Sequence, residues 1–380
     1  MNFIWGAYQC YGGLPFLFEL SVVVFFHELG HFLVARWRGV RVLTFSLGFG
    51  PELFGFTDRS GTRWKVSAIP LGGYVKFFGD ENAASVPDST TLAAMSADER
   101  QHSFFHKPLG SRAAVVAAGP FANFILSIII LSGVALFYGE RIVTLMPRVD
   151  ELTTDGAAKA AGFEAGDVIR SIDGQAIKTF LDMQQIVSES PGRSLTVVVD
   201  RQGTPVTLKV APAEIKGLSI FGYQLSKSKG VLGIRHASKP RPEEERIDRV
   251  GPVRAVQYGV EQTWAIISGT LSGIGGIITA RESASQIGGP ITIAVISCQV
   301  AAEGFVELLK LAAFLSVSIG LLNLFPIPLL DGGHLLYYGI EAVRGRPLSE
   351  RAQELGFRIG LAIIVMLMAF ALFNDFTRSS

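Results

Sequence analysis

Residues 14–37 read LPFLFELSVVVFFHELGHFLVARW, an apolar run interrupted near its centre by the polar group HELGH. As an α-helix, such a run is long enough to span a hydrocarbon core of about 30 Å. It fits a cleaved signal peptide poorly, because no basic region precedes it and no small-residue cleavage site follows it. The stretch therefore predicts a membrane helix that carries ionisable side chains in its interior.

The polar group contains His27, Glu28 and His31 in the pattern H-E-x-x-H. The spacing of four places both imidazoles on one helix face, where they can bind a single Zn²⁺ ion, and Glu28 can reach a water on the metal as general base. Ionisable side chains inside a bilayer cost about 2.5–3.5 kcal/mol for each charge on insertion scales, so a functional reason is the default. The alternative is a polar helix–helix contact that uses the His–Glu pair.

A catalytic zinc keeps three protein ligands and leaves one position for water, so a third ligand must come from elsewhere. The string NLFPIPLLDGGHLL, residues 323–336, offers Asp331 and His334. Asp331 is favoured, because Pro326 and Pro328 break the helix before it and the glycines that follow allow tight backbone approach. His334 is the rival ligand.

Three other polar residues need an interpretation. Asn323, just before the helix break, can donate a hydrogen bond to a developing oxyanion, with a helix cap or an interhelical hydrogen bond as the alternative. Glu19 precedes His27 by two helical turns and lies near the outer end of the span. We interpret Glu19 as snorkelling or pore-lining rather than catalytic. His236 lies in a polar loop and is expected to be solvated.

The composition indicates a polytopic membrane protein. Of 380 residues, 49% are hydrophobic and 18% are charged, against about 25% charged in an ordinary globular domain. The net charge of +1 gives no reason to expect nucleic-acid binding or a polybasic lipid anchor. Four segments have the length and apolarity of spanning helices. They are residues 14–37 and 113–138 in a first part, 1–138, and residues 308–324 and 357–373 in a last part, 307–380.

The segments between the spans differ in character. Residues 39–110 contain short apolar runs such as VLTFSLGFG, which predict a β-hairpin that dips into the membrane interface or lines a cavity. Residues 140–213 alternate like a soluble domain, with a Gly-bearing turn in SLTVVVDRQGTPVTLKVAP. A charged linker, 214–252, follows. Residues 253–306 predict a membrane-associated amphipathic segment, with a fifth span over 253–280 as the alternative.

Lys and Arg near the span ends predict the orientation. In a chain with four spans, all of them fall on one side, which is then cytoplasmic. They are Arg36, Arg38, Arg41, Lys107, Arg112, Arg344, Arg346, Arg351 and Arg358. Both termini and residues 140–213 are expected outside the cytoplasm. His31 lies six residues before Trp37, which places the reactive centre toward the cytoplasmic side.

Several strings resemble, in order, those of the site-2 family of intramembrane metalloproteases. Besides HELGH they are FSLGFGP, IPLGGYVKF, AAGPFANF, IGGPITIA, NLFPIPLLDGGHLL and ALFNDFTR. The resemblance implies a polytopic α-helical membrane protein of about four spans, with a membrane-re-entrant β-hairpin that presents the substrate as an extended strand. It also implies that His27, His31 and Asp331 bind zinc and that Glu28 is the base. Asn323 corresponds to the asparagine that the family has in its third span.

The stretch AAKAAGFEAGDVIRSIDGQAI, within residues 140–213, resembles the family's extracytoplasmic PDZ module, an α+β domain that can receive a peptide terminus by strand addition. The bacterial regulator protease that this chain resembles most has two tandem PDZ domains, whereas this chain has room for one, which matches the second of the pair. The resemblance further implies a multi-pass protein of the bacterial inner membrane. Its expected activity is regulated intramembrane proteolysis of single-span proteins, with anti-sigma-factor-like proteins and remnant signal peptides as substrates.

Two other interpretations use the same residues. A non-catalytic membrane adaptor would recruit partners through the PDZ module, but the intact Glu28 weighs against it, because a structural zinc site needs no base. A metal transporter also places His and Asp inside spans, but here they form one closed site without further polar residues along a path. The sequence therefore favours a zinc endopeptidase.

Overall fold

The chain folds into two compact units, residues 1–138 with 250–380 and residues 139–249. The computed structural model describes residues 13–80, 89–215, 219–220, 223–224, 229–236, 241–279 and 288–378. The helices are α1 (Leu14–Trp37), α2 (Ser89–Ala94), α3 (Ala97–His102), α4 (Leu109–Tyr138), α5 (Ala157–Ala160), α6 (Phe180–Ser188), α7 (Pro252–Ile278), α8 (Pro290–Glu303), α9 (Phe305–Asn323), α10 (Asp331–Arg344) and α11 (Glu350–Arg378). The strands are β1 (Val42–Thr57), β2 (Arg63–Phe77), β3 (Glu140–Val143), β4 (Glu151–Leu152), β5 (Val168–Ile172), β6 (Gln175–Ala176), β7 (Leu195–Arg201), β8 (Thr204–Val210), β9 (Ala213–Ile215), β10 (Ser219–Ile220), β11 (Tyr223–Gln224), β12 (Lys229–Val231), β13 (Ile234–Arg235) and β14 (Glu245–Asp248).

Within the described residues, four helices of the first unit are long and apolar enough to cross a membrane, namely α1, α4, α9 and residues Arg351–Thr377 of α11. The four predicted spans are therefore confirmed as helices of sufficient length and apolarity. Three of them begin earlier than predicted, because the residues that precede each apolar run also adopt helical backbone. The helix α7 lies outside this group, and both the amphipathic segment over residues 253–306 and the alternative fifth span stay predictions.

Small residues allow the long helices to pack closely. Gly30 of α1 lies so near the Ala118 carbonyl of α4 that an added Cβ would overlap it. On another face of α4, a Cβ at Gly259 of α7 would lie 2.7 Å from the Ile128 carbonyl oxygen. Close backbone approach through glycine is the usual packing device of helices in a membrane. Helix α4 thus packs against both α1 and α7.

Strands β1 and β2 form an antiparallel hairpin, in which Val42 pairs with Phe77 and Thr57 with Arg63. The predicted strands of residues 39–110 are thereby confirmed. The end of the hairpin next to α1 is buried in a cluster with Phe32. The far end exposes Leu53, Phe54 and Phe56, each more than half exposed.

The second unit is built on an antiparallel sheet with strand order β6-β5-β7-β8. The predicted turn between β7 and β8 is confirmed, since Gln202 and Gly203 both have positive φ, 54° and 86°, as a two-residue hairpin turn requires. Strands β12, β13 and β14, within the predicted linker 214–252, pair with β9, β4 and β3. Strands near the C-terminal end of residues 139–249 therefore pair with strands earlier in the same unit.

His236 of the second unit is buried rather than solvated, so that expectation is wrong. Its side chain is 8% exposed; Nε2 donates to Oε1 of Glu244 at 3.0 Å, and Nδ1 lies 3.6 Å from Oδ2 of Asp150. Arg241 in turn donates to Asp150. We call His236, Asp150, Glu244 and Arg241 the His236 cluster. The sequence shows that the loop is polar, but not that the loop folds back onto carboxylates.

The environment of Glu244 favours its charged form. Burial opposes ionisation, but hydrogen bonds from the backbone N–H groups of Arg241 and Met146 and the contact with His236 outweigh it. Together they hold the pKa of Glu244 below its ordinary value. The cluster is therefore a satisfied buried network of the kind that fixes a fold.

Candidate metal centre

Helix α1 presents two imidazoles to the interior of the first unit. His27 and His31 are each 8% exposed, and their Nε2 atoms lie 3.3 Å apart. The spacing of four in the H-E-x-x-H pattern places the two rings one helical turn apart, as predicted. The two nitrogens are thus available to one metal ion.

A broken segment brings the carboxylate of Asp331 to the imidazoles. Helix α9 ends at Asn323 and α10 begins at Asp331, which confirms the predicted break at the prolines. Leu329 between them has φ 92°, a left-handed conformation that is costly for a non-glycine residue. The chain turns back so tightly that a Cβ at Gly332 or Gly333 would overlap the preceding backbone. Both glycines therefore permit the close approach that the sequence predicted.

The three candidate ligand atoms form a nearly equilateral triangle. Oδ2 of Asp331 lies 3.1 Å from Nε2 of His27 and 3.5 Å from Nε2 of His31, and the two nitrogens are 3.3 Å apart. A tetrahedral zinc with bonds of about 2.0–2.1 Å requires ligand atoms about 3.3–3.4 Å apart. Oδ2 is buried and has no hydrogen bond within the described residues. The donor set and its spacing fit Zn²⁺.

Asp331 and not His334 joins this group of potential metal ligands. His334 lines a cavity of about 1090 Å³ whose other lining residues include the three candidate ligands, Glu28 and Asn323. Strand β2 borders the same cavity, and a Cβ at Gly73 would lie 3.1 Å from Cγ of Glu28. The cavity therefore brings the candidate base, the candidate oxyanion donor and an extended strand next to the three ligand atoms.

Sequence reasoning missed the face of α4 that contacts both imidazoles. The Val115 carbonyl accepts a hydrogen bond from Nδ1 of His31 at 2.8 Å, and the Asn123 amide lies 3.3 Å from Nδ1 of His27. A Cβ at Gly119 would overlap the His31 ring. Positions 115, 119 and 123 share one helix face through their spacing of four. The sequence does not show that this face packs against α1, so it gave no reason to assign these three positions a role.

Glu19 is wholly buried, so the snorkelling interpretation is wrong. Its side chain is 0% exposed, and its Oε2 accepts a hydrogen bond from the Ser297 hydroxyl of α8 at 2.6 Å. Snorkelling requires a path to the interface, and α8 covers that path. The position of Glu19 along α1 could not show which helix lies beside it.

An H-E-x-x-H motif on a spanning helix, joined by a distant carboxylate, characterises a class of membrane metalloproteases. A family model described as Peptidase family M50 matches residues 15–367. A protein of Rhizobium meliloti (strain 1021), named as a candidate zinc metalloprotease, is 48% identical over 360 residues, 95% of each chain. Metalloprotease MmpA of Caulobacter vibrioides is 38% identical over 385 residues, 95% of this chain and 94% of MmpA. Regulator of sigma-E protease RseP of Escherichia coli (strain K12) is 31% identical over 471 residues, 100% of both chains.

The chain belongs to Peptidase family M50, the site-2 protease family. It is a zinc metalloprotease and a multi-pass membrane protein. The predicted family, enzyme class and cofactor are thereby confirmed.

Proposed function

We propose that His27, His31 and Asp331 hold the zinc ion of an intramembrane protease, which cleaves single-span membrane proteins within or beside their spanning segments. The observation that carries this proposal is the triangle of ligand atoms, with edges of 3.1, 3.3 and 3.5 Å. Two of its corners belong to α1, a helix long and apolar enough to span a membrane. Bound zinc supplies Lewis-acid polarisation and an activated water.

Glu28 is the general base in this proposal. It takes a proton from the attacking water and passes it to the leaving amine nitrogen. Glu28 lines the cavity beside the ligand triangle. It follows His27 directly on α1, so it lies within one helical turn of both imidazoles. Asn323 borders the same cavity, where its amide N–H can donate to the developing oxyanion.

Strand β2 is proposed to hold the substrate in an extended form. A peptide in a regular helix has its carbonyls hydrogen-bonded already, so the substrate must unwind near the site. Addition of the unwound segment to β2 would satisfy its backbone groups inside the membrane. In support, residues Gly72 to Val75 border the cavity, and in its described sheet β2 pairs only with β1. This role would make the hairpin the membrane-re-entrant element of the protease.

Residues 140–213 are proposed to form a single PDZ domain on the extracytoplasmic side of the bacterial inner membrane. The alignment with RseP covers 471 positions against 380 residues here, so at least 91 positions (471 − 380) have no counterpart in this chain. That length accommodates one further domain. The domain would bind peptide termini and admit substrates whose external part has been trimmed, while the zinc site lies toward the cytoplasmic side.

The proposed substrates are anti-sigma-factor-like membrane proteins and remnant signal peptides, cut in regulated intramembrane proteolysis. In support, the name of RseP describes a regulator of sigma-E. Both substrate classes present one apolar span with a short external part. Such a segment can reach a site at membrane depth without carrying a folded domain into it.

The test is cleavage of a tagged single-span reporter with a truncated external part, using the purified natural protein and Glu28→Gln. We expect the natural protein to cut within or beside the span, as mapped by mass spectrometry. Glu28→Gln should keep its zinc and cut about 10²–10⁴-fold more slowly. A reporter with a full-length external part, cut slowly, is the control for substrate trimming.

Each other outcome has a distinct meaning. Equal rates for the two proteins would remove Glu28 from the role of base. Cleavage confined to the external part would contradict the intramembrane site. Undiminished zinc affinity in His27→Ala or His31→Ala would overturn the ligand assignment. A natural protein that binds no zinc and cuts no reporter would favour the non-catalytic adaptor.

A further inference from the structure

We infer that Asn123 is a positioning residue, whose amide oxygen accepts a hydrogen bond from Nδ1 of His27 and so fixes that imidazole for metal binding. The inference rests on the proposed role of His27 as a zinc ligand. It adds a residue on a different spanning helix, 96 positions along the chain from His27. Asn123 belongs to the string AAGPFANF, to which neither the ligand set nor the base assigns a role.

The side chain of Asn123 is buried beside His27. It is 0% exposed, and its amide lies 3.3 Å from Nδ1 of His27. Helix α9 packs behind it, and the Ser316 hydroxyl donates to the backbone carbonyl of Asn123 at 2.9 Å. A Cβ at Gly320 would lie 3.0 Å from Cβ of Asn123. These contacts with α9 hold the backbone and the Cβ of Asn123 beside the imidazole.

The chemistry of the ring decides which amide atom must face it. Nε2 of His27 points at the other ligand atoms, 3.3 Å from Nε2 of His31 and 3.1 Å from Oδ2 of Asp331. An imidazole that binds metal through Nε2 carries its hydrogen on Nδ1, which then requires an acceptor. An amide oxygen is an acceptor, whereas an amide nitrogen is only a donor.

Rotation of the amide gives Nδ1–H of His27 its acceptor and moves Nδ2 to the place that Oδ1 held. Asn123 is placed with Nδ2 toward His27, and its buried Oδ1 has no hydrogen-bond partner among the residues described. A half turn of the amide exchanges oxygen and nitrogen without changing its shape. The oxygen then accepts the Nδ1–H of His27. Asn123 would do for His27 what the Val115 carbonyl does for His31 at 2.8 Å.

Of these two acceptors, Asn123 is the one that mutation can remove. Loss of a group that hydrogen-bonds to a metal-binding imidazole typically weakens metal affinity about 10–100-fold. Asn123→Ala removes the oxygen and adds no bulk. Asn123→Asp keeps an acceptor at the same place. Ser127→Ala is the matched control, because Ser127 is a buried residue of the same helix whose hydroxyl contacts Thr263 and not the imidazoles.

The experiment measures zinc affinity by chelator competition on the full-length protein in detergent, without a substrate. We expect about 10–100-fold weaker binding for Asn123→Ala, affinity restored by Asn123→Asp, and an unchanged value for Ser127→Ala. Thermal unfolding of the zinc-free proteins checks that each variant is folded. Should Asn123→Ala fail to fold, Asn123→Leu fills the vacated volume without an acceptor and takes its place.

Natural affinity in a folded Asn123→Ala or Asn123→Leu protein would overturn the inference. Asn123→Asp weakened as much as Asn123→Ala would also overturn it, because acceptance by oxygen would then not matter. His27→Ala separates this failure from that of the ligand assignment. If His27→Ala binds zinc normally, the ligand set is wrong and the role of Asn123 falls with it; if only Asn123→Ala binds normally, the ligand set stands alone.

Discussion

The metal centre and the His236 cluster bury the same types of residue in different ways. In the His236 cluster, Oε1 of Glu244 accepts from His236 and from the Met146 amide, and Oε2 accepts from the Arg241 amide. In the metal centre, Oδ2 of Asp331 is buried without a hydrogen bond within the described residues. Buried polar atoms without partners are costly. Ligand atoms that converge around a carboxylate oxygen without a hydrogen bond therefore indicate a site for a metal ion, whereas a fully hydrogen-bonded carboxylate indicates a structural role.

Mutations in the two regions should therefore change different properties of the protein. Changes in the metal centre should weaken zinc binding and leave the second unit as stable as before. Changes in the His236 cluster should destabilise the second unit and leave zinc binding unchanged. The following variants test each half, beginning with the largest expected effect.

Asp331→Asn should weaken zinc affinity by more than about 100-fold, the upper range for groups that only support a ligand, because it replaces the carboxylate ligand itself. Chelator competition measures the effect. His334→Gln, which alters the rival residue in the same cavity, should keep the natural affinity. The reverse pattern would make His334 the third ligand.

Gly119→Ala should weaken zinc affinity about 10–100-fold, the effect expected when support of a ligand is disturbed, because its Cβ would displace the His31 ring. Gly133→Ala is the control on the same helix, since a Cβ there meets no atom within 4 Å. Zinc titration of both proteins measures the two affinities. Equal affinities would mean that α4 does not set the position of His31.

Glu244→Gln should lower the free energy of unfolding of the second unit by about 1–3 kcal/mol, because buried donors lose a charged acceptor. Hydrogen exchange of the Met146 and Arg241 amides in the full-length protein measures this loss. Glu243→Gln alters the exposed neighbour and should have no such effect. A fall in zinc affinity in Glu244→Gln would break the separation between the two regions.

The pH dependence of Glu244→Gln gives the smallest effect. The folded pKa of Glu244 lies below its ordinary value, so the stabilisation is complete above the unfolded pKa of about 4.3 and is lost as the pH falls through the folded pKa. The stability difference between the natural protein and Glu244→Gln should be constant from neutral pH to about pH 5 and shrink below about pH 4.3. Exchange rates across this range measure it, and a difference that grew on acidification would contradict the assignment.

Much of the fold followed from local patterns. Apolar length predicted four helices, Pro326 and Pro328 predicted the end of α9, and a Gly-bearing turn predicted the β7–β8 hairpin. The spacing of His27 and His31 placed two candidate ligand atoms on one face, and the break before Asp331 indicated the third candidate. These features depend on the backbone of a few consecutive residues, so a single sequence determines them.

Only the tertiary structure decided what covers each polar residue. Ser297 of α8 contacts the buried Glu19, the carboxylates of Glu244 and the distant Asp150 contact His236, and strands of the expected linker pair within the second unit. The same limit hid Asn123 and Gly119, whose significance depends on the helix that packs against them. The sequence by itself determined which atoms can bind zinc, because ligand chemistry belongs to the residue. The packing of α4 against α1 determined how those atoms are held, because contacts between distant segments depend on the whole fold.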